Sequence, residues 1–449
     1  MKKAGHGKAP RKSRGARKEN YIKEDLRNVS EEAEQSVVED ENASCPELVK
    51  ALKCSTISSD KAASDLSTTI ENLPEELLIN IFIRLLAKQL AQMRSVSTSW
   101  NALLSESSFV KSHLQHSIHR IELMLMAMNS DVCSCNSRQY TIHTNPSPEL
   151  RPTSAVNPQF NRIKVIGAVT GLVCMSSHDS SVIWIQNFSH SAVSTLPSFL
   201  LPHSTTSQIF LRFGFDPQTD DYKVVKLTGI MSIGRIQFPH RMKKWLKVEV
   251  YSMRKGSWEF ITARLPSHIK ILIDADLLCV DGHNGHLHWL GYRCKGEKTY
   301  SDNIVSFDLS SHTFSEIRFP DASTLNHHDY VNRIGVLSGK LCVILEGDAS
   351  AYEVWVMDEY GVSESWVKRH VFSLSSFSDV YPFGFTSQTG EFLVGHGGDL
   401  VLWDLCANKG KYFDKFCCGK RRHPSKILEY VDSLVWVTPD KTEIEGAQT

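Results

Sequence analysis

Ile70-Glu-Asn-Leu-Pro-Glu-Glu-Leu-Leu-Ile-Asn-Ile-Phe-Ile-Arg-Leu-Leu86 is the stretch on which the reading of this chain turns. Its apolar residues Leu73, Leu77, Leu78, Ile81, Phe82 and Leu85 recur at spacings of about three to four, the period of one helix face. Asn72 suits the N-cap or the position just before it, and Pro74 suits the first turn, where a missing N–H costs little. Glu75 and Glu76 favour the positive end of the helix dipole. A second periodic stretch follows in Leu90, Met93, Val96, Trp100, Leu103 and Leu104. A third, around Phe109, Val110 and Leu114, reaches towards Met128. Residues 70–118 are therefore expected to form a short all-α region.

The period changes downstream. After about residue 158 short apolar runs alternate with Gly, Asp, Asn, Ser and Pro, the pattern of strands and turns. Gly171-Leu-Val-Cys-Met175, Tyr222-Lys-Val-Val-Lys-Leu227, Lys247-Val-Glu-Val-Tyr251, His286-Leu-His-Trp-Leu290, Lys340-Leu-Cys-Val-Ile-Leu345 and Glu391-Phe-Leu-Val394 are expected strands. A Gly leading an apolar run recurs at Gly171, Gly285, Gly339 and Gly390, with Ser433-Leu-Val-Trp436 as a related segment. The spacing of about 40–55 residues, doubled in the first interval, is that of propeller blades. About six blade-like units are expected over 158–440, with a linker that has room for a short helix over 119–157.

Upstream, residues 1–68 carry few large apolar side chains and are expected to be a disordered tail. It is basic at first, with eight Lys/Arg and no acid between Lys2 and Lys18, then acidic from Glu31 to Glu41. The run Lys8–Lys18 reads first as a solvated tail, with a nuclear import signal or a contact for an acidic partner as the functional alternatives. The whole is an α+β multidomain chain: tail, helical region, mainly β propeller-like domain.

Lys+Arg and Asp+Glu balance at 50 each, so no net charge draws the chain to nucleic acid or an anionic membrane. No run approaches the roughly 18 apolar residues of a membrane-spanning helix, and the basic N-terminus lacks the apolar core of a secretory signal. Eleven irregularly spaced cysteines read as intracellular thiols rather than a disulfide framework.

The helical stretch resembles the F-box, on Leu73-Pro74-Glu-Glu-Leu77, Ile81-Phe82-Ile-Arg84-Leu85, Lys88-Gln-Leu90, Arg94-Ser-Val96-Ser-Thr-Ser-Trp100 and Phe109-Val-Lys-Ser-His-Leu114. The β region resembles the F-box-associated domain of plant F-box proteins. Its matches are Gly171-Leu-Val-Cys, Phe213-Gly-Phe-Asp-Pro-Gln-Thr-Asp-Asp-Tyr-Lys-Val-Val225, Val248-Glu-Val-Tyr-Ser252, Gly285-His-Leu-His-Trp-Leu290, Ile304-Val-Ser-Phe-Asp-Leu309 and Tyr352-Glu-Val-Trp-Val-Met357. Leu86 stands where the family usually has Pro, and Ser95 where it usually has Cys or a similar small residue; no regular kelch signature is present.

The resemblance implies a non-catalytic substrate-recognition subunit of a Skp–cullin–F-box ubiquitin ligase. The F-box would bind a Skp-type adaptor, and through it cullin, while the β-domain would hold a target protein whose identity the sequence does not state. The adaptor-binding residues expected are Leu73, Pro74, Leu77, Ile81, Leu85, Leu90, Val96 and Trp100, with Trp100 and Leu73/Pro74 as anchors. Leu78, Phe82 and Leu103 are expected to hold the helices together. Nucleus and/or cytoplasm is the expected location.

Other chemistry finds little purchase. Cys133-Ser-Cys135 lacks a second pair at zinc spacing, and Cys417-Cys418 with His423 is similarly isolated. His286 and His288 alternate on one strand face, which fits cross-strand packing better than a metal; His283 nearby does not alter that. No cofactor is implied. The alternative of another class, a propeller-type hydrolase or other ligand-binding propeller, would need converging carboxylates or a Ser/His/Asp set. Asp216, Asp308, Asp358 and Asp404 are the candidate carboxylates, but three of them recur at equivalent positions just after a strand, where capping a turn explains them. No G-x-S-x-G or phosphate-binding glycine loop appears, nor the interleaved Arg and aromatics of a nucleic-acid face.

Overall fold

The structure is a computed structural model. It describes residues 73–119, 124–128, 140–144, 163–190, 192–201, 204, 206–231, 242–273, 284–294, 300–320, 333–346, 351–373, 380–386, 390–396, 399–405, 409–413 and 426–437. The tail and its basic run, Cys133, Cys135, His283, Cys417, Cys418 and His423 lie outside these residues. By contact the chain divides into two compact units, Met1–Ile79 and Asn80–Thr449.

Among the described residues four α-helices follow one another: α1 Glu75–Phe82, α2 Ala87–Met93, α3 Thr98–Ser105 and α4 Ser107–Ile118. The third helical stretch ends at Ile118 and does not reach Met128. Met124–Met128 is instead a strand, paired antiparallel with Tyr140–Thr144 on one side and Lys426–Glu429 on the other. The expected linker with a short helix thus holds two strands. An apolar run this short is read equally as helix or strand by period alone, and here a partner from the far end of the chain decides it.

Five antiparallel sheets follow, spanning 163–195, 207–260, 269–318, 333–373 and 380–413. Four have four strands; the second has a fifth, Met242–Trp245. Together with the three-stranded sheet that joins the two ends of the region they make six sheets, of which five are blades of the propeller kind. Each blade meets its neighbours through alternate residues of the same strand. In Lys340–Glu346, Leu341, Val343 and Leu345 pack against the third blade, and Cys342 and Ile344 against the fifth. In Leu172–Ser177, Leu172 and Cys174 face the second blade, while Val173 and Met175 face Leu428 of the closing sheet. A period of two with both faces covered explains why these strands read as continuous apolar runs.

The recurrent glycines mark the hairpins. Val169 pairs with Leu172 across Thr170-Gly171, and Leu337 with Lys340 across Ser338-Gly339. Both residues of each turn have positive φ, as a two-residue hairpin matching the strand twist requires. Ser433–Trp436 breaks the series: it lies outside any sheet.

Candidate functional site

In the first unit, the Pro74 carbonyl accepts the N–H groups of Leu77 and Leu78 at 2.9 and 3.1 Å, which starts α1. Leu73 is half-buried and Pro74 exposed, Leu77 is 49% exposed and Leu78 is buried.

In the second unit, Ile81 is 45% and Val96 40% exposed, and Leu85 is half-buried. Leu90 and Trp100, expected among the adaptor-binding residues, are 0% and 4% exposed. They belong to the interior of the helical region in the free chain. The Trp100 ring meets Phe82 edge-on at a centroid distance of 5.2 Å, and Leu103, Leu104 and Phe109 are buried as well. The burial has a simple cause: a helical stripe marks the apolar face without saying what covers it, and short helices need their largest side chains for themselves. Leu78, Phe82 and Leu103 are buried as expected. His113, also buried, donates from Nε2 to the Leu85 carbonyl at 2.9 Å and so ties α4 to the loop after α1.

The start of α2 is unusual. Leu86 occupies the N-cap and has no side-chain oxygen to accept an orphan N–H. Its own N–H donates to Gln89 Oε1 at 3.0 Å, a bond that a proline could not make. The Ala87 N–H donates to Asp432 Oδ2 at 2.6 Å, from 345 residues further along the chain. At the other end of α2, the Arg94 guanidinium lies 4.1 Å from the Trp436 ring centroid and donates from Nε to Asn101 Oδ1 at 2.9 Å and from Nη2 to Ser105 Oγ. Trp436 also packs on His190, at 4.7 Å between centroids. Burial, with Arg94 beside it, lowers the His190 pKa, so the ring is neutral near pH 7.

The segment carrying Asp432 and Trp436 is fixed to the first blade. Asn187 Nδ2 donates to the Ser433 and Val435 carbonyls, both at 2.9 Å, and the Ser433 N–H donates to Ser189 Oγ at 3.1 Å. Gly171 permits the approach: a Cβ there would collide with the Ser433 side chain and the Val431 carbonyl. An exposed ion pair, Lys111 Nζ to Asp220 Oδ2 at 2.6 Å, joins α4 to a turn of the second blade.

On the blades three of the four expected turn carboxylates, Asp216, Asp308 and Asp358, are bound within the protein. Asp308 accepts the Ser310 and Ser311 N–H groups at 2.7 and 2.9 Å. Burial works to raise the Asp216 pKa, but bonds from Lys223, Thr219 and the Gln218 N–H outweigh it and hold the carboxyl below its ordinary range. Lys340 and Arg369 do the same for exposed Asp358. His286 and His288 gather around Tyr360, whose hydroxyl lies 2.9 Å from His288 Nε2. A shallow cleft of about 510 Å³ beside Glu259, Phe260 and His312 brings together one carboxylate and one imidazole. Among the described residues no group of three or more His, Cys, Asp or Glu could hold a metal ion, and no helix is long and apolar enough to cross a membrane.

Two family models match the chain: an F-box-like model over residues 70–116, and an F-box associated beta propeller domain over residues 122–412. The second begins at the strand pair 124–144, ahead of the boundary expected at 158. Among curated proteins, the F-box protein CPR1 of Arabidopsis thaliana is 28% identical over 75% of this chain and 83% of its own. The Arabidopsis F-box protein At3g07870 is 26% identical over 72% and 77%, and an Arabidopsis F-box/kelch-repeat protein, At3g23880, 25% identical over 66% and 78%. A solved ulvan lyase structure, a polysaccharide lyase, covers 73% of this chain and 80% of its own at 12% identity with a TM-score of 0.37, a likeness that carries no argument about activity.

Proposed function

The chain belongs to the F-box proteins that carry an F-box-associated β-propeller, and from that membership we propose that it is the substrate-recognition subunit of a Skp–cullin–F-box ubiquitin ligase. The helices bind the Skp-type adaptor, the adaptor binds cullin, and the propeller holds a target protein. The chain contributes no reacting group. It raises the local concentration of the target's lysines near the ubiquitin thioester, where a lysine amine forms the isopeptide bond and the carrier's thiol leaves.

The observation that supports this most is the set of apolar side chains left over once the helical core is filled. Leu77, Ile81 and Val96 stay exposed on or beside helices whose interior is already occupied by Phe82, Leu90 and Trp100. We assign these three, with Pro74 and the half-buried Leu73 and Leu85, to the adaptor. The basic run Lys8–Lys18 favours action in the nucleus and/or the cytoplasm.

The test is retention of the full-length chain on a purified Skp-type adaptor. Ile81→Asp combined with Val96→Asp is expected to weaken retention by roughly 30- to 1,000-fold, the range of a lost hot spot. Both positions are exposed, so circular dichroism should be unchanged. Full retention by this double variant would sink the reading.

A further inference from the structure

We infer that residues 430–437 form a clamp that fixes helices α2 and α3 to the first blade, with Asp432 and Trp436 as positioning residues for ubiquitin transfer. The inference rests on the reading of the chain as an adaptor-bound receptor. Three observations carry it. The Asp432 carboxylate supplies the N-cap that Leu86 lacks, and it is buried where it does so. The Arg94 guanidinium sits over the Trp436 ring, 4.1 Å from its centroid, and donates to Asn101 and Ser105, so one side chain links α2 and α3 to the clamp. The clamp cannot swing with the helices, because Asn187 and Ser189 grip its backbone at three points and Gly171 lets it lie flush on the first blade.

A carboxylate on a buried helix N-terminus and a cation stacked on an aromatic ring are both directional contacts. Two of them at opposite ends of one seven-residue helix leave it little freedom to tilt. A receptor joined to its adaptor hook by a loose tether would present target lysines over a wide arc. One joined by this clamp presents them from one direction, which raises their effective concentration at the thioester.

The experiment uses the full-length chain and reads amide exchange by mass spectrometry. Asp432→Ala with Trp436→Ala should speed exchange in 87–105 by roughly five- to tenfold, the scale of a lost helix cap. Peptides from the blades, 207–373, should keep their protection, which guards against simple misfolding. Arg94→Lys keeps the charge and loses the flat stack; it should loosen the same helices from their own side. Unchanged exchange in 87–105 in both variants overturns the clamp. A second readout separates it from a merely structural role. In the reconstituted ligase, the lysines of this chain that acquire ubiquitin should spread over more positions in the double variant while adaptor retention stays within about twofold. The same lysine pattern in wild type and variant overturns the positioning role. Failure of the wild-type chain to bind the adaptor at all sinks the receptor reading instead, and leaves the exchange result to judge the clamp.

Discussion

Strand Lys340–Glu346 sends Leu341 and Val343 to one neighbouring blade and Cys342 and Ile344 to the other, so the chain itself covers both faces. The helices do otherwise: Phe82, Leu90 and Trp100 are enclosed, yet Ile81 and Val96 stay open and the cap of α2 comes from residue 432. The blades are self-sufficient by repetition, since every sheet has a sheet beside it. The helices are too few to be so, and they draw support from the clamp on one side and, on our reading, from the adaptor on another. A region that borrows its stability can be recognised by what it leaves unfilled.

That contrast can be broken most severely at Trp100. Trp100→Ala removes the edge-on partner of Phe82 and is expected to cost the helices about 3–5 kcal/mol. Because so small a core cannot absorb that loss, amide protection over 87–118 should vanish while the blades keep theirs. Loss of protection in both regions together would mean that helices and blades share one cooperative unit. In the blades, the comparable site is the buried pair Lys226–Glu249, at 2.6 Å, where Glu249 also accepts the Leu200 and Leu201 N–H groups. Glu249→Ala leaves the buried ammonium only the Leu201 carbonyl and the Phe199 ring, and should cost about 3–5 kcal/mol of stability, read as a fall in the urea midpoint. If the blades are as self-supporting as argued, adaptor retention should survive it at low temperature.

A gentler probe is pH. The folded Asp216 pKa lies below the ordinary carboxylate value, so the unfolded chain binds its proton first as pH falls. Its contribution is therefore full above about pH 4–5 and is lost as pH drops towards the lowered value. Asp221, raised by burial, works in the opposite sense and softens the limb. Asp216→Asn should lower stability at neutral pH and flatten the acid limb in urea titrations between pH 3 and 6; parallel wild-type and variant curves would refute the assignment. The smallest effect is expected at the exposed Lys111–Asp220 pair, where Lys111→Ala should change stability by less than about 1 kcal/mol. A larger change would make that ion pair a second clamp.

Much of the architecture was legible because its signals are local. Gly171, Gly285 and Gly339 fall at turns where both residues take positive φ, and that need recurs with each blade. Met124–Met128 reads as helix or strand alike because both its pairing partners, 140–144 and 426–429, lie outside the run, the second some 300 residues away, and Ser433–Trp436 reads as a strand because an apolar run gripped by side chains looks like one gripped by a sheet. For the helices, period located the apolar face but could not divide it into Trp100 inside and Ile81 outside. The cap from Asp432 had one faint clue: Leu86, at the head of a helix, offers no oxygen of its own.

The pairing of Met124–Met128 with Lys426–Glu429 sets an order on the life of each molecule. The helices come early in the sequence, while the strand that pairs with Met124–Met128 and the carboxylate that caps Ala87 come some 300 residues later. During synthesis one strand edge stays unpaired and one helix N–H uncapped until residues 426–432 have been added. A chain cut before residue 426 lacks both contacts.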